Sequence, residues 1–428
     1  MRTLILGMGA SGTEVAKFLM KRGQPFDTFD DKKDRNTVAA AVEATSFHHY
    51  SHANEPELGR YRQVVVSPGV DARHPLLARA RQQGVDPVSE IELAFNHVRG
   101  KVVAVTGSNG KSTTVSLIHH VLLGGGLNAV LCGNIGVPFI AKVSDDPDRI
   151  YVLEVSSFQL EHIRRFRPNL GILLNITPDH LARHGGFEAY KRAKLRLFEN
   201  QEADDLAVVD PDHFRDIPGR AQKLAVPGPE AFQAETEWVV SESYRVPCAS
   251  LPLLGAHNRL NGLFTCVAAW RMGVPAEVAA QALQSFRALE HRLESVGFYE
   301  GRHWINDSKA TNGQATQAAV DAMVGPYALI LGGCDKGERF RDLDFSRNSP
   351  KAVVAYGETA PLICEDLAFL HPVHVHRFED ACLKAHELAG SGSAVLLAPA
   401  CASFDQFGNF AERGTAFKAI FRRMAVAS

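Results

Sequence analysis

The hydrophobic positions of the chain form short apolar runs that alternate with longer amphipathic segments. Such runs occupy residues 2–6, 64–66, 102–105, 151–155, 171–175, 206–209, 303–305, 328–331, 352–355 and 394–397. Between them, stretches such as 12–22, 112–123 and 258–271 have helical periodicity. Alternation of short apolar runs with helical segments is typical of parallel strands joined by crossover helices. The pattern therefore predicts an α/β protein with mainly parallel sheets.

The same pattern separates the chain into three blocks. The first two each begin with a strand, a glycine-rich turn and a helix, and the third opens near His291. Residues 211–250 are richer in Pro, Glu and Ser and lack helical periodicity, so short antiparallel strands and loops are both open there. We predict a Rossmann-like N-terminal domain at 1–95, a P-loop-type ATP-binding central domain with a mainly parallel sheet at 96–289, and a Rossmann-like C-terminal domain at 290–428.

Composition narrows the class of protein. The 428 residues are 45% hydrophobic and 22% charged with a formal net charge of −2, so nothing global attracts nucleic acid or an anionic membrane. The seven cysteines include no Cys-x-x-Cys pair, which indicates reduced thiols. The first apolar run breaks at Gly7, too early for a secretion signal, and no run approaches the roughly 20 residues of a membrane span. We expect a cytoplasmic enzyme without membrane insertion.

The strand at 102–105 leads directly into the sequence TGSNGKST at residues 106–113. Gly107 and Gly110 allow the backbone to turn its N–H groups inward, and the following helix directs its positive end to the same place. Lys111 adds a charge for the phosphates, and a hydroxyl of the next two residues can ligate Mg²⁺. A full P-loop has a further glycine where Val105 stands, and a serine-capped turn is the structural alternative. The order of elements predicts an ATP site.

A second glycine motif, Gly7-x-Gly9-x-x-Gly12, follows the first strand, and Asp30 or Asp31 lies about 20 residues on, as in dinucleotide sites. Taken alone, the motif favours an NAD-dependent dehydrogenase. A chain that has a better ATP loop is more simply interpreted as holding a nucleotide-linked substrate here. A purely structural turn is the third interpretation.

Polar residues follow several other predicted strands, where α/β proteins bind their ligands. Glu154 ends one strand and is a natural Mg²⁺ ligand, although it could equally be a helix N-terminal acid. Asp179-His180 could bind metal or form a capped turn. Asn258 and Asn261 lie three apart on one helix face and could contact ATP, with a helix cap as the alternative. The loop at 306–312 suits ribose and phosphate contacts or is merely solvated.

Together these stretches resemble the Mur ligases, a family of ATP-dependent amide ligases, in the expected order over essentially the whole chain. The motifs are TGSNGKST at 106–113, GNIG at 133–136, LEVSSFQLE at 153–161, NITPDHLARH at 175–184, AHNRLN at 256–261, HRLE at 291–294, NDSKATN at 306–312, LGGCDKG at 331–337 and APACASFDQFGNF at 398–410. NDSKATN with the PACAS-x-DQF stretch points to the branch that adds D-glutamate.

The resemblance implies a reaction. ATP would phosphorylate the alanine carboxylate of UDP-N-acetylmuramoyl-L-alanine, and the amine of D-glutamate would attack the acyl phosphate to form an amide of a peptidoglycan precursor. This order makes chemical sense, because a carboxylate resists nucleophiles until one oxygen becomes a good leaving group. ATP and two Mg²⁺ ions would be required, and we expect a monomer.

The resemblance also implies roles for individual residues. The catalytic residues would be Lys111, His180 and Lys194, the last as an N-carboxylated lysine. ATP would be bound by Gly107, Asn109, Gly110, Lys111, Ser112, Thr113, Asn258, Asn261, Arg292 and Asp307. Mg²⁺ would be held by Ser112, Thr113, Glu154, His180 and Lys194. The UDP-linked substrate would meet Gly9, Ala10, Ser11, Gly12, Asp30 or Asp31, Ser67, Asn134, Ser156 and His180. Glutamate would meet Thr311, Lys336, Ser403, Phe404 and Phe410.

Three other functions stay open on the sequence. Another amide ligase of the same superfamily, such as folylpolyglutamate synthase or a Mur ligase for a different amino acid, is the nearest alternative. An NAD-dependent dehydrogenase would use only the first glycine motif and would leave TGSNGKST and NDSKATN without a role. A non-catalytic nucleotide-binding module would bind ATP without forming a product.

Overall fold

The parallel strands that the hydrophobic pattern predicts are present in the computed structural model, which describes residues 2–234, 236–253, 255–334, 337 and 339–426. The chain divides into two units, Met1–Leu251 with Leu260–Phe286, and Pro252–Arg259 with Arg287–Ser428. Three parallel or mostly parallel sheets carry the fold, which confirms the predicted α/β class. Among the described helices, none has the length and apolar character needed to cross a membrane.

The first sheet is formed by the N-terminal strands of the first unit. Its strands are β1 (Arg2–Leu6), β2 (Phe26–Phe29), β3 (His49–Tyr50), β4 (Tyr61–Val66) and β5 (Pro87–Ser89), and its helices are α1 (Ala10–Lys21), α2 (Arg35–Val42), α3 (Pro75–Gln82) and α4 (Glu90–Phe95). All pairs are parallel in the order β3-β2-β1-β4-β5. The strand order reverses between β1 and β4, and ligands of such sheets bind beyond the carboxyl ends of the strands at that point.

The second sheet of the first unit is also entirely parallel. Its strands are β6 (Lys101–Thr106), β7 (Ala129–Gly133), β8 (Ile150–Glu154), β9 (Leu170–Leu173), β10 (Leu206–Val209) and β11 (Gln222–Ala225), and its helices are α5 (Lys111–Gly124), α6 (Ser157–Leu160), α7 (Leu181–His184) and α8 (Phe187–Leu195). The order is β11-β10-β9-β6-β8-β7, so β8 and β9 flank the buried β6. The segments that follow these three strands therefore meet at one edge of the sheet.

A small antiparallel sheet completes the first unit and resolves the open interpretation of residues 211–250. It contains β12 (Phe232–Gln233), β13 (Glu237–Ser241) and β14 (Tyr244–Pro247), and it is followed by α9 (Ala256–Arg271), which begins in the second unit, and α10 (Ala276–Ser285). Trp238 is buried against α9, where a Cβ on Gly262 would lie 2.5 Å from the indole ring. The helix therefore needs a glycine at that contact.

The second unit contains one mixed sheet. Its strands are β15 (Glu294–Tyr299), β16 (Arg302–Asn306), β17 (Tyr327–Gly332), β18 (Ala352–Tyr356), β19 (Val373–His374) and β20 (Ala394–Leu397), and its helices are α11 (Gly313–Asp321), α12 (Ala360–Asp366), α13 (Phe378–Ala389) and α14 (Phe410–Val426). The order is β15-β16-β20-β17-β18-β19, and only the β15–β16 hairpin is antiparallel. Short 3₁₀ helices occur at Leu58–Arg60, Phe139–Lys142, Arg196–Phe198, Pro211–Asp216, Cys248–Ser250, Phe340–Asp342 and Ala368–Leu370.

Two buried glutamates on α4 differ in the number of backbone N–H groups that donate to their carboxylates. The carboxylate of Glu92 accepts hydrogen bonds of 2.8–3.0 Å from the backbone N–H groups of Arg164, Arg165 and Phe166. Glu90 has one such bond, from the N–H of Ile140 at 2.6 Å, and its second oxygen has no partner. Burial raises the pKa of Glu90 from an ordinary 4.5 to about 7. Glu90 therefore destabilises the fold at pH values at which it is ionised, because a buried charge with too few hydrogen-bond donors raises the free energy of the folded state.

We expect Glu90→Gln to stabilise the protein more at high pH than at low pH. The folded carboxyl binds its proton more tightly than the unfolded one, so wild-type stability falls as pH rises from about 4.5 through about 7, whereas glutamine has no proton to lose. The gain in free energy of unfolding should be about 2 kcal/mol larger near pH 8 than near pH 5 in urea titrations.

Glu92→Gln is the matched control on the same helix. It replaces an oxygen that accepts backbone N–H groups by an amide donor, so it should destabilise the protein at both pH values. Equal effects of Glu90→Gln near pH 5 and near pH 8 would contradict the assignment of a raised pKa to Glu90.

Candidate active site

The loop between β6 and α5 has the shape that the glycine pattern predicts. Gly107 and Gly110 have φ of +153° and +85°, conformations that L side chains rarely adopt. A Cβ on Gly110 would also lie 2.9 Å from the Oδ1 atom of Asn261, which is buried against the loop. Gly110 is the N-cap of α5, and no side chain among the described residues caps this helix, so the positive N-terminal end of the helix lies at the loop. The geometry suits the binding of phosphate oxygens.

The segment after β9 shapes this loop through a pair of amide hydrogen bonds. The Oδ1 atom of Asn175 accepts from the N–H of Asn109 at 2.9 Å, and its Nδ2 atom donates to the Asn109 carbonyl at 3.1 Å. The hydroxyl of Ser108 donates to the Thr177 carbonyl at 2.9 Å and lies 2.9 Å from the hydroxyl of Tyr190. Asn175 and Tyr190 thus position the phosphate loop. Neither role was predicted from the sequence.

Two lysines share one carbonyl oxygen in this loop. The Nζ atom of Lys111 donates to the carbonyls of Gly107 and Ser108 at 2.7 and 2.8 Å, and the Nζ atom of Lys194 donates to the same Gly107 carbonyl at 2.7 Å. Lys194 is 2% exposed. Burial, and then the charge of Lys111, hold the pKa of Lys194 well below its ordinary value. Lys194 is therefore a buried amine that readily becomes neutral.

Glu154 supplies an anionic oxygen next to these amines. It pairs with Val105 at the end of β6, and its Oε1 atom accepts from the Nδ2 atom of Asn134 at 2.8 Å. Its Oε2 atom is buried and has no hydrogen-bond partner among the residues that the structure describes. A buried carboxylate oxygen without a donor fits a divalent cation, and the buried hydroxyls of Ser112 and Thr113 at the start of α5 are also oxygen ligands. These residues therefore fit Mg²⁺.

His180 is the N-cap of α7 and has a left-handed backbone with φ of +53°. Its N–H donates to the carboxylate of Asp179 at 2.9 Å, and its half-exposed ring lies 5.0 Å from the ring of Phe158. Asp179 and Glu154 are the acidic groups whose charges act on Lys194. The segment after β9 therefore directs acidic and imidazole groups to the same region as Lys194.

The N-terminal glycine motif lies at the reversal point of the first sheet. A Cβ on Gly12 would be 2.0 Å from the Gly7 carbonyl, so only glycine allows α1 to start this close to the loop. The hydroxyl of Ser67, at the end of β4, donates to that same carbonyl at 2.6 Å. Gly9 is the N-cap of α1 without a side-chain cap, and Ala10 and Ser11 form the first turn. The helix end is thus suited to a diphosphate.

The acidic pair after β2 has internal partners. The carboxylate of Asp30 accepts from the N–H groups of Met8, Lys32 and Lys33 at 2.7–3.1 Å. The carboxylate of Asp31 accepts from the N–H of His52 at 2.8 Å and lies 3.0 Å from the Nε2 atom of the same residue. Asp30 therefore holds the glycine loop in shape, and a direct contact of either carboxylate with a nucleoside remains a prediction.

Two other residues predicted to contact the UDP-linked substrate also have partners within the protein. Asn134 donates to Glu154, as described above, so it orients the predicted metal ligand. Ser156 is the N-cap of α6 and forms a reciprocal capping box with Gln159. Both positions remain predictions as substrate ligands, and the structure gives each a positioning role.

The remaining predicted ATP ligands lie in the second unit. Asn258 is buried near the start of α9, and Asp307 is buried directly after β16. Burial raises the pKa of Asp307 to about 7, although the positive charge of Arg292 lowers it. The charge of Arg292 acts on the Asp307 carboxyl, and the expectation that these two side chains serve one ligand stays a prediction.

A buried arginine organises the predicted glutamate loops. Arg413 has no exposed surface; its guanidinium donates to the hydroxyl and carbonyl of Ser308 at 3.0 and 2.9 Å, to the Cys401 carbonyl at 3.0 Å and to the Tyr356 hydroxyl at 3.2 Å. It forms no ion pair with any residue of the described part of the chain. Arg413 could not be predicted from the sequence, because an arginine in the amphipathic helix α14 resembles a solvated one.

The predicted glutamate ligands lie on or beside these loops. Ser403 is buried and its carbonyl accepts from the N–H of Phe407 at 2.8 Å, whereas the neighbouring Phe404 is 71% exposed. Thr311 follows Asp307 in the loop, and Phe410 begins α14 with its ring 3.9 Å from the Nζ atom of Lys309. Lys336 lies outside the described residues. A buried hydroxyl beside an exposed aromatic ring is compatible with a small polar ligand.

Two family models match the chain. Residues 1–89 match "Mur ligase MurD-like, N-terminal domain", and residues 105–269 match "Mur ligase middle domain". The second match includes the phosphate loop, Glu154, His180 and Lys194, and the first includes the N-terminal glycine motif.

Curated relatives align over nearly the full chain. A protein of Koribacter versatilis named UDP-N-acetylmuramoylalanine–D-glutamate ligase is 40% identical over 447 positions, which cover 99% of this chain and 98% of that protein. Ligases with the same name from Acidobacterium capsulatum and Alkaliphilus metalliredigens are 39% and 37% identical, each over 97% of this chain and 95% and 97% of their own lengths.

Solved structures share the fold at lower identity. UDP-N-acetylmuramate-alanine ligase MurC of Thermotoga maritima has a TM-score of 0.62 at 17% identity, with 99% of both chains covered. MurF ligase of Thermotoga maritima, solved in complex with ADP, has a TM-score of 0.62 at 15% identity and covers 94% of this chain and 95% of its own.

We expect Asn175→Ala to weaken ATP binding by about thirtyfold, because two hydrogen bonds of roughly 1 kcal/mol each no longer fix the phosphate loop. Calorimetric titration with ATP measures the effect. Asn128→Ala is the control, since Asn128 lies in the same unit and donates only to Asp146 at the surface. An ATP affinity for Asn175→Ala within about twofold of wild type would show that the amide pair does not shape the binding loop.

Proposed function

Because the chain belongs to the Mur ligase family, we propose that it joins D-glutamate to UDP-N-acetylmuramoyl-L-alanine at the expense of ATP. The observation that carries this proposal is the alignment over 99% of the chain with a relative named for that reaction. The chain is an ATP-dependent ligase of peptidoglycan-precursor synthesis. A dehydrogenase would leave the phosphate loop and the orphaned oxygen of Glu154 without a use.

The reaction proceeds in two group transfers. A carboxylate oxygen of the alanine attacks the γ-phosphorus of ATP; the new O–P bond forms as the bond to the β-phosphate oxygen breaks, and ADP leaves. The neutral amine of D-glutamate then attacks the acyl carbon, and the tetrahedral intermediate expels phosphate. The attacking nitrogen loses a proton to give the amide. Lys111 and the N-terminal end of α5 would stabilise the charge on the transferring phosphoryl group.

The residues around the loop would hold two Mg²⁺ ions. Glu154, with the hydroxyl of Ser112 or Thr113, would hold one, and His180 with Lys194 would hold the other. The ions supply charge neutralisation for the phosphates and the acyl phosphate. The orphaned Glu154 oxygen supports the first site, and the acidic surroundings of Lys194 support the second.

Lys194 would act in its N-carboxylated form. Its neutral amine would add to carbon dioxide: the N–C bond forms, a proton leaves, and the side chain becomes an anionic carbamate. Burial and the nearby Lys111 support this step, because both disfavour the ammonium form. The carbamate would in turn place a negative charge where two amines now approach one carbonyl.

The other substrates would bind at the sites expected from the sequence. The UDP group would lie over residues 9–12 with Asp30 or Asp31, Ser67, Asn134, Ser156 and His180. ATP would also meet Asn258, Asn261, Arg292 and Asp307, and glutamate would meet Thr311, Lys336, Ser403, Phe404 and Phe410. We further propose domains at 1–95, 96–289 and 290–428, a monomeric state, a cytoplasmic location, and no nucleic-acid partner or membrane insertion.

The substrate assignment predicts a requirement for all three substrates. Purified protein with Mg²⁺ should release phosphate from ATP only when UDP-N-acetylmuramoyl-L-alanine and D-glutamate are both present, as a coupled phosphate assay would show. Omission of each substrate and Lys111→Ala are the controls, and Lys111→Ala should lower kcat by about a hundredfold or more, since it removes a charge from the phosphoryl transfer. Equal turnover with L-glutamate, diaminopimelate, lysine or a folate would overturn the assignment.

The N-carboxylated lysine predicts a chemical rescue. Lys194→Ala should lose about a hundredfold or more in kcat, and a small carboxylic acid such as acetate should restore part of it by supplying the missing anion. Lys191→Ala is the control on the same helix, because Lys191 pairs with Asp216 at 2.7 Å and should keep near wild-type activity. Full activity of Lys194→Ala without acetate would exclude the modified lysine.

A further inference from the structure

Arg183 joins two segments that lie far apart in the sequence. It belongs to α7, the one-turn helix that follows His180. One guanidinium nitrogen, Nη2, donates to the carbonyls of Pro68 and Val70 at 2.8 and 2.7 Å. These two carbonyls flank the turn directly after β4, more than a hundred residues earlier in the chain. The side chain of Arg183 therefore binds the backbone of the turn.

The bound turn is fixed to the N-terminal glycine loop. The hydroxyl of Ser67 donates to the Gly7 carbonyl at 2.6 Å, and the Cγ2 atom of Val70 lies 2.8 Å from where a Cβ of Gly7 would stand. Residues 67–70 and the glycine loop are thus packed without intervening space. A displacement of the turn would move the loop that the UDP group is proposed to contact.

On its other side, Arg183 stacks on the segment that carries His180. The guanidinium carbon lies 3.9 Å from the centre of the Phe158 ring, and that ring lies 5.0 Å from the ring of His180 and 5.3 Å from the ring of His184. Planar stacking and a forked donor are features of arginine that lysine lacks. The Arg183 side chain is therefore held by the backbone carbonyls of the turn on one side and by the Phe158 ring on the other.

Alternative partners for Arg183 are weaker. The carboxylate of Glu161 is 3.8 Å away, which is longer than either bond to the turn. The Nε atom of Arg183 is buried and has no hydrogen-bond partner within the described part of the chain, a cost that a freely solvated arginine would avoid by moving. The backbone carbonyls and the Phe158 ring therefore determine where the guanidinium lies.

We propose that Arg183 is a positioning residue that holds the UDP-binding turn at residues 67–70 in register with His180 and the phosphate loop. The inference rests on the proposed function, since it assigns Arg183 the alignment of the UDP-linked substrate. In the proposed function, the UDP group binds at the first sheet, whereas the reacting carboxylate must reach the phosphate loop at the edge of the second sheet. Arg183 bridges the two, and a shift of about 1 Å in such an alignment can cost up to a hundredfold in rate.

The test compares steady-state constants for Arg183→Ala with those of the wild type. The KM for UDP-N-acetylmuramoyl-L-alanine should rise about tenfold and kcat should fall by a similar factor, whereas the KM for ATP should stay within about twofold. Arg183→Lys should recover part of the loss, because an ammonium group can reach one carbonyl but cannot stack on Phe158. Constants for all substrates within about twofold of wild type would overturn the proposal, as would equal increases in both KM values.

The stacking contact provides a second measurement. In a double-mutant cycle, Phe158→Ala and Arg183→Ala should have less than additive effects on the KM for the UDP-linked substrate, and additive effects would count against the proposal. Arg73→Ala is the charge-matched control, because Arg73 is exposed beside the same turn and pairs only with Asp71 among the described residues; it should retain wild-type constants.

Binding measurements separate this inference from the proposed function. Calorimetry with UDP-N-acetylmuramoyl-L-alanine alone measures the affinity of the protein for this compound in the absence of turnover. If the wild type binds this compound but forms no product with D-glutamate, the ligase assignment fails; weaker binding to Arg183→Ala would still support the positioning role. If the wild type is active and both proteins bind equally with equal constants, the positioning role alone fails.

Discussion

The carbonyl oxygen of Gly107 accepts hydrogen bonds from Lys111 and Lys194, and the organisation of the catalytic region follows from this shared acceptor. Two ammonium groups at one carbonyl oxygen in a buried place repel each other, so each disfavours the charged form of the other. Lys194 is the more buried of the two, and burial, followed by the charge of Lys111, lowers its pKa and favours its neutral form. An anionic ligand, or a carbamate on Lys194 itself, relieves the same conflict. The loop is thus prepared for negative charge before any substrate binds.

The strand order explains why segments that are distant in the sequence surround the loop at residues 106–113. Because β8 and β9 flank β6, the segments after all three strands lie at one sheet edge. Glu154 comes from β8, Asn175 from the segment after β9, and the phosphate loop from β6 itself. Each segment contributes a different group: a buried carboxylate, an amide pair that shapes the loop, and the glycine loop itself. Arg183, further along the segment from β9, extends this arrangement to the N-terminal sheet.

The sequence predicted the features that leave a periodic or compositional signature. Buried parallel strands such as β6 are continuous apolar runs, and the positive φ of Gly110 needs a glycine, so both could be read directly. β15 was missed, because an edge strand with several partly exposed positions shows no clear apolar run. The roles of Asn175 and Arg183 could not be predicted either, since their partners are backbone atoms that any residue would supply. A hydrogen bond to the main chain does not require a particular residue type in the partner, so the sequence does not show it.

Among the residues that the structure describes, the two most deeply buried basic side chains show how physical chemistry separates structural from chemical roles. Lys194 and Arg413 are both buried, both donate to carbonyl oxygens, and neither forms an ion pair among the residues that the structure describes. A guanidinium cannot lose its proton, so Arg413 must satisfy its charge with several fixed acceptors, and it thereby holds two loops rigidly. An amine can lose its proton, so Lys194 needs only one acceptor and keeps a reactive nitrogen. The buried side chain that can deprotonate is therefore the one for which we propose a chemical role, and the buried side chain that cannot deprotonate supports the surrounding loops.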